Sequence, residues 1–395
     1  MQQQQQRHAA LRPCTHPSRV AARRFISVRA KASATDSSSH TKNVFVFGLG
    51  YTSVALANWL AKEGWSISGT CRSEARVAGL RAKGWHVEGY DPGRGSTLSP
   101  ELSARLADSP YVLSSIPPVA LALYDPALSA QKSLLRPLAA GGRLAWFGYL
   151  SSTGVYGDWQ GEWVDESSPC RQTSSKAIVR QEAEAAWQQM CEQHGLPTHI
   201  FRLGGIYGPG RSVLDSLRSQ PADLSASQER RGRQRYTARC HVYDICAVLK
   251  ASMAAPRPGA VYNIVDDDPA PRGEVMEFAR RLVAGDSGGG AAVAAAGPEA
   301  AVEAEAAGQS PSGSGHEAAA GGSEAAGSGE GDSSGGSGRR RDGSGAERLE
   351  EKRVRNGLIR QELGVVLRYP TYREGVAALH GGDCWPLTPE DLVLL

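Results

Sequence analysis

The chain has 395 residues and a formal net charge of +3, but its first 35 residues hold six arginines, one lysine and no acid, so the remainder is net acidic. A net-acidic body lacks the concentrated basic face that a nucleic-acid partner requires. No run reaches the apolar length of a membrane span, and the seven cysteines include no C-x-x-C pair, which argues against a zinc or dithiol site.

Residues 1–35 read as a targeting segment, rich in arginine, free of acid, and without the unbroken apolar core of a secretory signal. The segment ends in Val28-Arg29-Ala30-Lys31-Ala32-Ser33-Ala34, which resembles plastid processing sites. A chloroplast destination is expected, with the mitochondrion as the alternative. Residues 36–42 are a linker. Asn43-Val44-Phe45-Val46-Phe47 predicts a first strand, and residues 54–62 a helix with Ala55, Leu56, Trp59 and Leu60 on one face. Residues 66–70 predict a second strand, 73–83 a basic helix, 85–90 a third strand, 111–115 a fourth, and 143–150 a fifth; 198–203 and 261–265 follow as later strands. Short apolar runs alternating with helical patterns predict an α/β fold with a doubly wound parallel sheet and a ligand crevice at its strand carboxyl ends. From residue 285 to 346 the sequence turns to Gly, Ala, Ser and Glu, which buries too little apolar surface to order itself and predicts a disordered insertion. Helical pattern resumes at Glu350, so the insertion interrupts one domain.

Gly48-Leu49-Gly50-Tyr51-Thr52-Ser53 fits G-x-G-x-x-small where the first strand turns into its helix. The first glycine allows the tight turn, the second lets a pyrophosphate approach the backbone, and the small residue lets the helix pack closely. In that context the motif predicts a Rossmann domain over residues 43–200, with Gly48, Gly50, Tyr51, Thr52 and Ser53 at the dinucleotide. Residues 201–284 and 347–395 supply the remaining Rossmann elements and a smaller C-terminal substrate lobe. The end of the second strand reads Thr70-Cys71-Arg72-Ser73, with no acid to hold a ribose 2′-hydroxyl and with Arg72 suited to a 2′-phosphate. The cofactor expected is therefore NADP(H), with NAD as the alternative. Asp91 stands either at the adenine or only in the turn before Pro92.

Tyr149-Leu150-Ser151-Ser152-Thr153-Gly154-Val155-Tyr156-Gly157 resembles the S-S-x-x-V-Y-G signature of extended short-chain dehydrogenase/reductases, the epimerase/dehydratase superfamily. Phe201-Arg202-Leu203-Gly204-Gly205-Ile206-Tyr207-Gly208-Pro209-Gly210, His241-Val242-Tyr243-Asp244 and Tyr262-Asn263-Ile264-Val265 extend the resemblance, and Arg368-Tyr369-Pro370-Thr371-Tyr372-Arg373-Glu374-Gly375 resembles the tail of an atypical subgroup. The resemblance implies hydride transfer between the nicotinamide and a carbonyl or secondary alcohol of a small molecule, with Ser152 as the serine that meets the substrate oxygen. It also implies Tyr-x-x-x-Lys on the next helix, which here reads Lys176-Ala177-Ile178-Val179-Arg180. Arg180 then holds the cofactor, while Lys176 either carries the proton or is a bystander, and Tyr156 is either a recruited phenol or a packing residue. Arg202 and Arg211 flank the cleft by the same analogy and suit an anionic substrate. A degenerate site leaves two functions open, an NADP-dependent oxidoreductase or epimerase/dehydratase, and a non-catalytic NADP(H)-binding sensor or scaffold. His241 and Asp244 are expected to orient a turn, and Asp266-Asp267-Asp268 to cap one without a metal.

Overall fold

The computed structural model describes residues 41–119, 125–219, 232–285 and 350–395. The expected leader lies outside these residues, as does all of the expected insertion except Gly285, which ends a helix in the left-handed conformation.

Strands β1 (Asn43–Phe47), β2 (Ser66–Cys71), β3 (His86–Gly89), β4 (Tyr111–Ser114) and β5 (Trp146–Ser152) are followed by a short β6 (Trp163–Val164), then β7 (Thr198–Leu203), β8 (Gly205–Tyr207), β9 (Arg239–His241), β10 (Val261–Ile264) and β11 (Arg353–Val354). Seven of them form one parallel sheet in the order β10-β7-β5-β4-β1-β2-β3. The chain winds outward from β1 through β2 to β3, then crosses back to β4, so the topological switch point falls at the carboxyl ends of β1 and β4. Two small parallel pairs, β6 with β11 and β8 with β9, lie outside that sheet.

Strand periodicity separates the core into two layers. Val44 and Val46 of β1 enter one apolar cluster with Ile67, Leu113, Phe201 and Ile264, while Phe45 and Phe47 enter the other with Val112, Phe147, Tyr149 and Ile200. Both faces being covered, the strands read as nearly continuous apolar runs. The first layer is closed by α1 (Tyr51–Lys62), α2 (Glu74–Ala82) and, later in the chain, the helix Val242–Ala254. The second is closed by α3 (Pro100–Ala107), α4 (Pro126–Ala140) and α5 (Ser175–His194). The later helices are α6 (Val213–Ser219), α7 (Val242–Ala254), α8 (Arg272–Ala284), α9 (Gly357–Leu363), α10 (Tyr372–His380) and α11 (Pro389–Leu394).

Several boundaries depart from the sequence expectation, two of them by three residues. Helix α1 starts at Tyr51, directly on the glycine turn, three residues before the apolar pattern becomes visible. Strand β5 starts at Trp146 because Arg143–Ala145 are still turn, the Arg143 amide bonding back to Leu138 O beyond the Gly141-Gly142 pair that ends α4. Helix α4, with Pro137 inside it, lies where the sequence reading placed no element; its start is fixed by Asp125, whose carboxylate accepts the Leu128 amide at 2.8 Å.

Buried titratable groups make stability depend on pH. His199 of β7 is fully buried; its Nε2 accepts the Arg257 amide at 2.7 Å, and its Nδ1 lies 3.3 Å from the Phe147 carbonyl, which fixes the neutral Nδ1–H tautomer. Burial lowers its pKa from 6.5 to about 4. A base depressed in the folded state contributes stability above its unfolded pKa that is lost as pH falls through the window from 6.5 to about 4. Burial raises Asp244 to about 6, which works in the opposite direction over an overlapping range. The difference between the wild type and His199→Gln isolates the histidine: urea unfolding should show the wild type losing stability relative to the variant on acidification. Parallel pH profiles for the two proteins would contradict this.

Candidate functional site

A cavity of about 860 Å³ opens at the switch point. One wall is the β1–α1 turn at Gly50, Tyr51, Thr52 and Ser53, and Ser115 and Pro117 follow β4. Ser151 and Ser152 end β5 there, and Arg180 projects from α5. The opposite wall comes from the β7–β8 segment, the loop into α6, β9, and the starts of α8 and α10.

Gly48 has φ +86°, a conformation that favours glycine, and its amide donates to Thr70 Oγ1 at 2.9 Å, tying the turn to the end of β2. A Cβ on Gly50 would meet nothing within 4 Å, so its backbone faces open space. Gly50 is also the N-cap of α1 and supplies no side-chain cap, which leaves the first amides of a twelve-residue helix free for an anion. Ser53 Oγ bonds Ser115 Oγ at 2.9 Å and Ser115 Oγ reaches Gly48 O, locking the turn to the strand across the switch point. Tyr51 lines the cavity and donates its hydroxyl to Pro209 O at 2.9 Å; burial raises its pKa.

Arg72 is exposed at the end of β2 with no acidic partner among the described residues. Four residues on, Arg76 of α2 donates from Nη2 to Leu49 O at 3.0 Å, and its Nε is buried with no partner. Sequence reading had missed this second guanidinium, fastened directly to the glycine turn. Asp91 begins a short 3-10 turn, receives the Arg94 amide on its carbonyl and pairs with the Arg94 side chain at 3.7 Å; it is not part of the cavity wall.

Of the three residues considered for catalysis, only Ser152 lines the cavity, its Oγ accepting the Gly154 amide at 3.1 Å. Lys176 is exposed in the first turn of α5 and outside the wall, whereas Arg180 is in the wall and donates to Leu150 O at 3.2 Å. Tyr156 is turned into the core. Its hydroxyl donates to Asn263 Oδ1 at 2.8 Å and accepts from Arg202 Nη1 at 3.0 Å, and burial pushes it up to about 12. Arg202 does not flank the cleft either, because it forms a buried ion pair with Glu184 at 2.8 Å. Burial opposes its charge, but Glu184 and Tyr156 outweigh that and hold its pKa above the ordinary value. Glu184 also accepts from Ser151 Oγ, so a buried network runs from the cavity wall into the core.

His241 and Asp244 serve the turn into α7. His241 Nδ1 accepts the Tyr243 amide at 3.1 Å, and Asp244 accepts the amides of Arg368 and Tyr369 at 2.7 and 3.2 Å. In the acidic run, Asp267 pairs with Arg360 and Asp268 with Arg373, and no cluster able to hold a metal occurs among the described residues.

The wall at Tyr207 depends on Gly375 of α10. A Cβ there would land on the Tyr207 hydroxyl and ring, both in the closed interior. Gly375→Ala is expected to destabilise the fold by ~1–3 kcal/mol through overpacking, outweighing a helix-propensity gain of up to ~1 kcal/mol. Urea unfolding of the variant checks this, and a variant more stable than the wild type would contradict it.

The family profile described as "NAD dependent epimerase/dehydratase family" matches residues 129–265, from α4 to the end of the last sheet strand. The chain is similar to a functionally unknown conserved protein from Silicibacter pomeroyi DSS, at 32% identity and a TM-score of 0.61, over 87% of this chain and 99% of that one. It is 28% identical over 236 residues to protein YeeZ of Escherichia coli (strain K12), covering 56% of this chain and 77% of that protein. The dTDP-glucose 4,6-dehydratase of Bacillus anthracis str. Ames, solved in complex with NAD, aligns with a TM-score of 0.56 at 14% identity over 87% and 98% of the two chains; this likeness speaks for the fold alone. With one relative aligned at 32% identity over nearly its whole length and the family profile matched through the sheet's second half, the chain belongs to the NAD-dependent epimerase/dehydratase family.

Proposed function

We propose that the protein binds NADP(H) and transfers hydride between the nicotinamide and a carbonyl or secondary alcohol of a small molecule. The observation that carries this is one cavity holding both the open glycine turn with its uncapped helix start and the β5 end with Ser152 and Arg180. The residues fit the cofactor: the free amides of α1 suit a diphosphate, and the exposed guanidinium of Arg72, with that of Arg76 held at the glycine turn, suits a 2′-phosphate. A cavity of this volume is within the range of small-molecule sites. When bound, the nicotinamide supplies or takes the hydride. Ser152 Oγ, fixed by the Gly154 amide, is free to donate its proton to a substrate oxygen, and Arg180 holds a ribose hydroxyl or phosphate from the α5 side.

The alternative, an NADP(H)-binding sensor without turnover, draws support from Lys176 lying outside the cavity and Tyr156 being locked to Arg202 and Asn263. Deuteride transfer from 4-deuterated NADPH to a panel of aldehydes and ketones separates the two. Transfer that drops about a hundredfold or more in Ser152→Ala supports the reductase. Tight NADPH binding with no transfer to any compound supports the sensor, and no NADPH binding defeats both.

A further inference from the structure

Helix α2 carries the Arg76 guanidinium but holds little of its own geometry. It has nine residues, of which only Val77 and Leu80 are buried, and Ser73 at its N-cap makes no side-chain cap bond. A helix this short is marginal by itself, so what it packs against fixes its rotation. Toward the sheet it is held by those two side chains and by Arg81, which donates to Val87 O at 2.7 Å. Arg76, Gly79 and Lys83 recur at i, i+3 and i+7 and therefore share a neighbouring flank.

Helix α11 meets that flank. A Cβ on Gly79 would come within 2.5 Å of Leu394 Cδ1, so the leucine sits on the bare backbone of the glycine. Lys83 Nζ pairs with Asp391 at 2.8 Å. Asp391 is fully buried, accepts Asn58 Nδ2 of α1 at 2.7 Å and closes a capping box with Thr388. Asn58 also donates to Pro386 O at 2.9 Å, just ahead of α11, and accepts from Lys83 Nζ at 3.2 Å. On another side Leu392 lies against Gly210 of the cavity wall, where a Cβ would be 3.2 Å from its Cδ2. Anchored to α1 and to the cavity wall, α11 holds α2 at Gly79 and Lys83, and Arg76 is the next position along the same flank.

We infer that α11 is a brace that sets the rotation of α2, and that Leu394 and Asp391 are positioning residues for the 2′-phosphate of NADPH, acting through Arg76. The ligand in this inference rests on the NADP(H) proposal; the brace itself does not.

The test measures NADPH and NADH affinities of the full chain by nicotinamide fluorescence, and follows hydrogen exchange of the α2 amides by mass spectrometry without cofactor. Leu394→Ala opens the contact at Gly79, and Asp391→Asn removes the charge that holds Lys83. Each is expected to cut the ratio of NADPH to NADH affinity about threefold or more, and to speed exchange across α2. Leu394→Met refills the space and should restore both. A general loss of stability would lower the two affinities together and leave their ratio unchanged. The inference is overturned if the wild type prefers NADPH and both variants keep that preference, if Leu394→Met loses it as far as Leu394→Ala does, or if α2 exchanges at the wild-type rate in both variants. A wild type without preference for NADPH defeats the 2′-phosphate reading and the positioning role with it, and α2 exchange still decides whether α11 braces α2.

Discussion

Arg72→Ala and Arg76→Gln are each expected to weaken NADPH binding by about tenfold or more, and NADH binding by less. A hydrogen bond to a charged group contributes ~1.5–3 kcal/mol, and ~1.4 kcal/mol is a factor of ten. Arg72 is exposed, so solvent screens it and its effect should be the smaller. Arg76 is already fastened to Leu49 O, so it loses little freedom on meeting a phosphate, and its effect should be the larger. Glutamine at position 76 keeps much of the side-chain stem, which separates loss of charge from loss of packing. Nicotinamide fluorescence titrations of both cofactors measure the six affinities of the wild type and the two variants. Equal affinity of the unaltered protein for NADPH and NADH would contradict the 2′-phosphate assignment.

The second large effect is on stability. Arg202→Met strands the Glu184 carboxylate in the interior, where the two side chains are only 9% and 6% exposed. Breaking a buried pair by removing one partner costs about 3–5 kcal/mol, whereas replacing both partners by apolar residues of similar size is often nearly neutral. Urea unfolding should therefore show a large loss for Arg202→Met and substantial recovery in the double variant Arg202→Met, Glu184→Leu. The recovery distinguishes a stranded charge from lost packing. Because Glu184 also accepts from Ser151 in the cavity wall, both variants should weaken NADPH binding too. A loss below ~1 kcal/mol for Arg202→Met would contradict the buried-pair account.

Much of the architecture was legible because it follows local rules. The alternation of Val44 and Val46 with Phe45 and Phe47 marks a strand with two buried faces, and Gly48 to Ser53 marks the turn that must follow it. The site was legible only where one segment builds it. Ser152 and Arg180 reach the cavity as the motifs imply, but Lys176 does not. The two lie on the same side of α5, one turn and ~6 Å of helix apart, and nothing in their spacing tells which turn crosses the strand end. Tyr156 looked available because the sequence does not show that the short helix Thr153–Tyr156 carries its phenol toward Asn263. Arg76 reads as an ordinary polar residue of α2, and Asp391 and Leu394 stand in an unrelated segment. Only tertiary folding brings α11 onto α2, so no local pattern could have announced it.

A crystal structure of the full chain with NADPH tests the central claim most directly. The expected result is a diphosphate on the amides at the start of α1, a 2′-phosphate between Arg72 and Arg76, and a nicotinamide ring in the cavity beside Ser152 and Arg180. A diphosphate seated elsewhere, or a nicotinamide ring pointing away from Ser152 into solvent, would contradict it.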